Sequence, residues 1–145
     1  MFRGTHKTRL DEKGRLKVPA EFKRLIDENY SSQFYITSWD GKSAKVYPLQ
    51  EWEVIERKLS ALPTFNKAKQ NIVKRASYFG QTVEIDAQGR LLLPQMLRET
   101  AELKGEVAVS GRFQYLEVEN AEALGKEMAQ PLTPEDEQEL ERLGI

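Results

Sequence analysis

A five-residue pattern, Asp-x-x-Gly-Arg, occurs twice in this sequence, at residues 11–15 and 86–90. The aspartate can cap a tight turn, because its carboxylate accepts hydrogen bonds from backbone amides two residues on, and the glycine supplies a positive φ. The guanidinium of the arginine can bind a phosphate or a guanine edge with two parallel hydrogen bonds. Alternatively, Arg15 and Arg90 each form an ion pair with the aspartate of their own turn. We predict a contact role for Arg15 and a structural role for Arg90.

The residues around the turn distinguish the first copy from the second. Five further cations lie on or beside the first copy, namely Arg3, Lys7, Arg9, Lys13 and Lys17. In the second copy Glu84 replaces the equivalent arginine, and Gln88 and Leu92 replace the two lysines nearest the turn arginine. Basic side chains neutralise DNA phosphates and steer association. We therefore predict that Arg15 and these five cations bind DNA; the alternative is a basic strand that only faces solvent.

Charge is segregated along the chain, although the formal net charge is only −1. Residues 1–24 hold eight basic and three acidic side chains, and residues 57–75 hold six basic side chains and no acid. Residues 117–145 hold nine acids against two basic residues. A basic front and an acidic tail indicate a polyanionic partner at one end. The tail is expected to aid solubility or to compete with DNA for the basic turns, and a basic helix at 67–75 is a secondary candidate for DNA contact.

The composition excludes several classes of function. The chain has no cysteine and one histidine, which rules out thiolate chemistry and disfavours histidine metal cages and catalytic triads. No serine lies in a nucleophile motif, and no phosphate-binding loop is visible. The longest apolar run, Leu91–Leu93, is far too short to span a bilayer, and no signal segment is visible. We expect a cytoplasmic protein that is not an enzyme, with no cofactor, small-molecule substrate or membrane partner.

The two motifs belong to a longer internal repeat. Residues 10–19 align without a gap with residues 85–94, at a shift of 75 positions. Alternating polar and apolar side chains predict a strand before and after each turn. Apolar residues at i, i+3 and i+4 spacing then predict a short helix after Pro19 and after Pro94. Each copy therefore begins as a β-hairpin followed by a helix.

Each copy is expected to continue with a second hairpin, turning at residues 39–41 in the first copy and at Ser110–Gly111 in the second. A unit of about 45 residues rarely buries enough surface to fold alone. We therefore predict an α+β fold in which two internal repeats share one β-barrel, with flanking helices.

The pattern divides the chain into four segments. A first unit at 5–52 faces DNA, and a helical connector follows at 53–80. A second unit occupies 81–124, and an acidic C-terminal helix or tail occupies 125–145. The two units are expected to share one barrel, and the C-terminal helix is expected to be loosely held.

Further motifs support a family resemblance. Met1–Gly4 reads Met-Phe-Arg-Gly, the turn motif recurs in Leu10–Pro19 and Asp86–Pro94, and Tyr47–Trp52 closes the first unit. With these motifs the sequence resembles the MraZ family of bacterial transcription regulators. The resemblance extends from Met1 to about residue 124.

The resemblance implies a tandem AbrB-like swapped-hairpin barrel, with two copies fused in one chain. It also implies a ring-shaped homo-oligomer that binds direct repeats in double-stranded DNA upstream of the division and cell-wall gene cluster, and it implicates Arg15 in DNA contact. We therefore predict a sequence-specific, nucleoid-associated repressor. The alternative is a non-enzymatic AbrB-like interaction or scaffold module, which would use the acidic tail and the inter-repeat helices.

Overall fold

The computed structural model describes residues 1–145 and contains eight strands and six helices. The strands are β1 (Thr5–Arg9), β2 (Arg15–Lys17), β3 (Gln33–Thr37), β4 (Ala44–Pro48), β5 (Gln81–Glu84), β6 (Arg90–Leu92), β7 (Glu106–Arg112) and β8 (Tyr115–Asn120). The helices are α1 (Ala20–Asn29), α2 (Leu49–Ser60), α3 (Lys67–Tyr78), α4 (Gln95–Thr100), α5 (Ala121–Met128) and α6 (Pro134–Arg142). None of the helices has the length and apolar character needed to cross a membrane.

Six strands form one antiparallel sheet in the order β1-β7-β8-β4-β3-β5, and β2 pairs with β6 in a separate two-stranded ribbon. The α+β fold predicted from the sequence is confirmed. The strands do not close into the single barrel that the sequence suggested, because β1 and β5 lie at the two edges of the large sheet. The short strands that follow the two turns bond only to each other, which separates them from that sheet.

The two repeat units exchange strands. β1 of the first unit pairs with β7 of the second, and β5 of the second unit pairs with β3 of the first. The ribbon joins β2 to β6 across the units in the same way. β4 and β8 pair at the centre of the large sheet and connect the second hairpin of each unit. Neither unit therefore has a complete sheet of its own, in keeping with the small size of each unit.

Equivalent positions of the repeat fill one core. Leu16 and Leu91 are fully buried beneath the ribbon, and Phe22 and Leu97 are fully buried on α1 and α4. These four side chains belong to a single cluster of 21 buried residues drawn from both units. Burying a large apolar side chain contributes about 1.5–3 kcal/mol, so this shared cluster is what fixes the ribbon to the sheet.

The turn of the second hairpin lies beyond the predicted Ser110–Gly111. β7 continues through Gly111 to Arg112, and the chain reverses at Phe113, which has a φ of 65°. The glycine serves another purpose, because a Cβ at Gly111 would collide with the backbone of Phe2. A glycine inside a strand often marks such a close backbone approach. The prediction mistook this contact for a turn.

Helices α2, α3 and α6 lie where the sequence predicted helical segments, whereas α5 crosses the predicted boundary between the second unit and the C-terminal segment. α2 and α3 form a helical hairpin between the units, and α2 buries Trp52 against the sheet. α3 begins after Asn66, whose side chain accepts a hydrogen bond from the amide of Lys69 at 3.0 Å. α6 begins with a reciprocal cap between Thr133 and Asp136. Capping of this kind satisfies amides that the first helical turn leaves unpaired.

Candidate nucleic-acid interface

The two Asp-x-x-Gly-Arg motifs form closely similar turns. In the first turn the amides of Lys13 and Arg15 donate to Asp11 Oδ1 at 3.0 and 2.9 Å. In the second turn the two equivalent amides donate to Asp86 Oδ1 at 2.9 Å each. The glycines have positive φ values of 84° and 75°, as the turn requires. These backbone hydrogen bonds, led by the bond from the arginine amide, lower the pKa of both aspartates.

Each turn arginine also pairs with the aspartate of its own turn. Arg15 Nε donates to Asp11 Oδ2 at 2.6 Å, and Arg90 Nε donates to Asp86 Oδ2 at 3.1 Å. A terminal nitrogen of Arg90 also lies 3.8 Å from Asp11 Oδ2. The ion pair that the sequence offered as an alternative is therefore present in both copies. It uses Nε of Arg15, so the terminal nitrogens of that guanidinium remain available for a ligand.

The ribbon brings the two arginines onto one exposed face. Lys17 lies opposite Arg90 in the register, and Arg15 lies opposite Leu92. Side chains alternate along a strand, and Leu16 points into the core, so Arg15 and Lys17 share the outer face. Arg90 and Leu92 occupy the same outer face of β6. We call these four outward residues, with the two turns, the basic ribbon.

A cation from the opposite unit covers each turn glycine. The guanidinium of Arg98 lies over Gly14, where it would collide with any Cβ, and its Nε donates to the carbonyl of Leu93 at 3.0 Å. At the second turn, Lys23 and Lys17 lie 3.6 Å from the position that a Cβ of Gly89 would occupy. Both glycines are buried as a result. The exchange of strands thus gives each turn a basic residue from the other unit.

The two turns line two grooves of different charge. The first groove, about 420 Å³, contains Asp11, Glu99, Arg98 and Lys104 beside the first turn. The second groove, about 690 Å³, is lined by the second turn and by residues of β1, β2 and α1. Its charged side chains are Lys7, Lys17, Lys23 and Glu21, together with His6. Acids balance bases in the first groove, whereas basic residues outnumber acids in the second.

The structure brings most of the predicted DNA contacts together, but not all. Lys13, Arg15 and Lys17 belong to the basic ribbon, and Lys7 lines the second groove beside Lys17. Arg9 is exposed at the end of β1 next to the first turn. Arg3 lies beyond the other end of β1, beside the turn of the second hairpin. Arg3 is therefore separated from the basic ribbon by the whole of β1.

Three basic residues near the ribbon were not among the predicted DNA contacts. They are Arg90, Lys23 and Arg98. Arg90 was assigned a structural role, which its ion pair supports, but it also shares the outer face with Lys17. Lys23 and Arg98 are equivalent positions of the repeat, and their shared basic character was the available signal. Only pairing of β2 with β6 could have shown that each lies over the turn of the other unit.

The fold and the basic ribbon together define a tandem-repeat α+β protein with exchanged strands and a cationic surface. The family described as "MraZ protein, putative antitoxin-like" matches residues 1–75 and 80–124. The chain belongs to the MraZ family. It is similar to proteins named "Transcriptional regulator MraZ" from Acidobacterium capsulatum, with 59% identity, and Koribacter versatilis, with 55% identity, each over 100% of both chains. A third relative of that name, from Thiobacillus denitrificans, is 36% identical over 92% of this chain and 90% of its own.

Proposed function

We propose that this protein is a sequence-specific, DNA-binding transcriptional regulator that binds duplex DNA through the basic ribbon. The names of its relatives support a regulator, and the shared outer face of Arg15, Lys17 and Arg90 is the observation that carries the proposal. Basic side chains on two paired strands present a row of donors to phosphates and base edges. A two-stranded ribbon also fits the major groove, which is about 12 Å wide.

Within this site the residues have different roles. Arg15 has terminal nitrogens that point to no partner in the chain, so it is the proposed contact to a base edge or phosphate. Lys13 and Lys17 flank it on the ribbon, while Lys7 and Arg9 extend the basic surface along β1. Arg3 contributes to steering from the far end of β1. The first unit thus remains the main DNA-facing unit, completed by Arg90 and Lys23.

We further propose that the protein assembles into a ring of identical copies. The cross-paired strands support an AbrB-like swapped-hairpin fold, although the large sheet is open. One protomer making about 3–5 phosphate contacts would bind weakly at physiological salt. A ring that presents many ribbons to direct repeats gains avidity. Bound upstream of the division and cell-wall gene cluster, such a nucleoid-associated ring would repress by excluding polymerase.

A fluorescent duplex containing the region upstream of the protein's own gene tests the proposal. Binding is measured by anisotropy across a salt series, against a scrambled duplex. We expect tight, salt-dependent binding to the upstream duplex alone, lost in Arg15→Ala and retained in Arg57→Ala, which removes an exposed arginine on α2. Weak binding that is indifferent to sequence and to both changes would overturn the proposal. That result would favour the interaction-module alternative.

A further inference from the structure

A second surface, remote in sequence from the ribbon, has an unusual composition. The α2–α3 hairpin exposes Phe65 at its tip, 84% accessible, and Tyr78 at the end of α3, 66% accessible. The segment 57–75, which includes Phe65 and ends three residues before Tyr78, contains six basic residues and no acid. A surface that combines exposed aromatic side chains with one sign of charge is typical of a docking site.

Two of these basic residues lie beside Tyr78 near the end of α3, whereas Phe65 precedes the start of that helix. Asn71, Lys74, Arg75 and Tyr78 follow i, i+3, i+4 and i+7 spacing, which places them on one helical face. With Phe79 they line a groove of about 420 Å³. The groove therefore has an aromatic side and a rim of two cations. We call it the α3 groove.

Helix α6 has the complementary composition and no partner in its own chain. Residues 134–145 hold five acids and one arginine, and every residue from 125 to 145 is exposed to solvent. Leu143 is 57% accessible and Ile145 is 83% accessible. Leu140 lies one turn before Leu143, so the two share a face flanked by Glu137 and Glu141. An amphipathic helix exposed in this way lacks the packing that stabilises most helices of its length.

We propose that α6 of one copy docks in the α3 groove of a second copy of this chain. Leu140 and Leu143 would cover Tyr78, while the flanking acids of α6 would face Lys74 and Arg75. Charge complementarity and two unpartnered apolar surfaces support this occupant over DNA, which would leave the leucines of α6 exposed. The contact joins two different surfaces, so each copy can bind one neighbour on either side. Such contacts form a closed ring when the rotation from one copy to the next adds up to a full turn. It rests on the ring assembly of the proposed function and supplies a contact for it.

Charge reversal in the full chain tests this contact. The variant Lys74→Glu/Arg75→Glu alters the groove, and Glu137→Lys/Glu141→Lys alters the helix. All of these residues are exposed, so folding should be preserved, which circular dichroism verifies. We expect each variant to dissociate at concentrations at least tenfold higher than the wild type in sedimentation velocity. An equimolar mixture of the two should restore larger assemblies, because both contacts between unlike chains are complementary: the unchanged helix meets the unchanged groove, and the reversed helix meets the reversed groove.

A matched control and a second readout separate the outcomes. Glu122→Lys reverses an exposed acid on α5 and should leave assembly unchanged. A wild-type oligomer that neither double variant weakens would overturn the docking contact while leaving the ring standing. A wild-type monomer at all concentrations would overturn both. Binding to a single DNA repeat, measured on the same proteins, is expected to be retained in Glu137→Lys/Glu141→Lys, so failure of DNA binding is distinguished from failure of docking.

Discussion

The two turns of this protein share a backbone but differ in their surroundings. Both have an aspartate that accepts two amide hydrogen bonds, a glycine at positive φ and an arginine paired to the aspartate. Around the first turn, Asp11 and Glu99 balance Arg98 and Lys104. Around the second turn, three lysines face one glutamate. The repeat therefore preserves the turn and varies the charge beside it.

Because the two units exchange strands, the basic surface contains residues of both units. Lys7 and Lys17 belong to the first unit in sequence, yet they line the groove of the second turn. The antiparallel pairing of β2 with β6 is the cause, because it places the end of one strand beside the start of the other. A composite site of this kind depends on both units.

The two arginines give the sharpest comparison. Arg15→Ala and Arg90→Ala remove equivalent ion pairs, so their effects on thermal unfolding should be similar. A bidentate base contact contributes about 1–3 kcal/mol, and in the proposed ring this loss would recur in every protomer, so we expect Arg15→Ala to abolish specific binding. Arg90→Ala should weaken it by no more than about tenfold. Anisotropy with the upstream duplex measures both.

Arg15→Lys sharpens the same comparison. It keeps the charge but removes the planar fork, so it should retain binding to scrambled DNA and lose preference for the upstream duplex. Two results would show that Arg15 acts through the turn and not through DNA. One is equal DNA binding by all three variants. The other is a much larger fall in melting temperature for Arg15→Ala than for Arg90→Ala.

The two grooves can be compared by their salt dependence. Each phosphate contact contributes about −0.9 to the slope of log affinity against log salt. Replacing Lys7, Lys17 and Lys23 by alanine should make that slope shallower by about 2–3 and weaken binding by about tenfold or more. Replacing Arg98 and Lys104 of the first groove should change the slope by less than about one. A larger change from the first groove would reverse the assignment of the two surfaces.

The turn glycines are expected to differ in stability. Alanine at positive φ costs about 1–2 kcal/mol at either Gly14 or Gly89. Gly14→Ala should cost about 0.5–1.5 kcal/mol more, because it displaces Arg98 from its hydrogen bond to Leu93. Chemical denaturation gives the free energies of unfolding. Gly125→Ala is the control: this glycine lies inside α5 with open space around it, so the change should not destabilise the protein. Equal losses of unfolding free energy at Gly14 and Gly89 would show that Arg98 moves aside without an energetic cost.

The smallest effect concerns pH. The backbone hydrogen bonds of each turn lower the pKa of Asp11 and Asp86 below that of an unfolded chain. A lowered carboxyl pKa contributes stability above the unfolded value, near 3.9, and that stability is lost as pH falls through the folded value. Between pH 6 and pH 2 the melting temperature of Asp11→Asn/Asp86→Asn should therefore fall less steeply than that of the wild type. An equally steep fall in both proteins would mean that other carboxylates determine the sensitivity to acid.

Much of the fold could be predicted because the repeat is read directly from the sequence. The aspartate and glycine of each turn, the helices after Pro19 and Pro94, and the burial of Leu16 and Leu91 all follow from local rules. Strand partners do not, since alternation of polar and apolar residues fixes a face but not a neighbour. The open sheet and the exchanged strands therefore required the structure.

For the candidate site, too, the sequence predicts local groupings of residues but not groupings that depend on strand pairing. The cluster of Lys13, Arg15 and Lys17 is local in sequence, so its position on one turn and strand could be anticipated. The grouping of Lys7 with Lys23 and the second turn depends on long-range pairing. Ser110–Gly111 was mistaken for a turn. A glycine is needed there because a Cβ would collide with the backbone of Phe2, more than 100 positions earlier in the sequence.

Cross-linking from the ribbon tests the central claim most directly. Leu92 is 46% accessible on the outer face of the basic ribbon, and Phe65 is 84% accessible at the tip of the α2–α3 hairpin. A benzophenone-bearing amino acid replaces one or the other, and the protein is irradiated on the upstream duplex. We expect cross-links to DNA from position 92, suppressed by excess unlabelled upstream duplex, and none from position 65. Cross-links from position 65 alone would contradict the assignment of the ribbon as the DNA-binding surface.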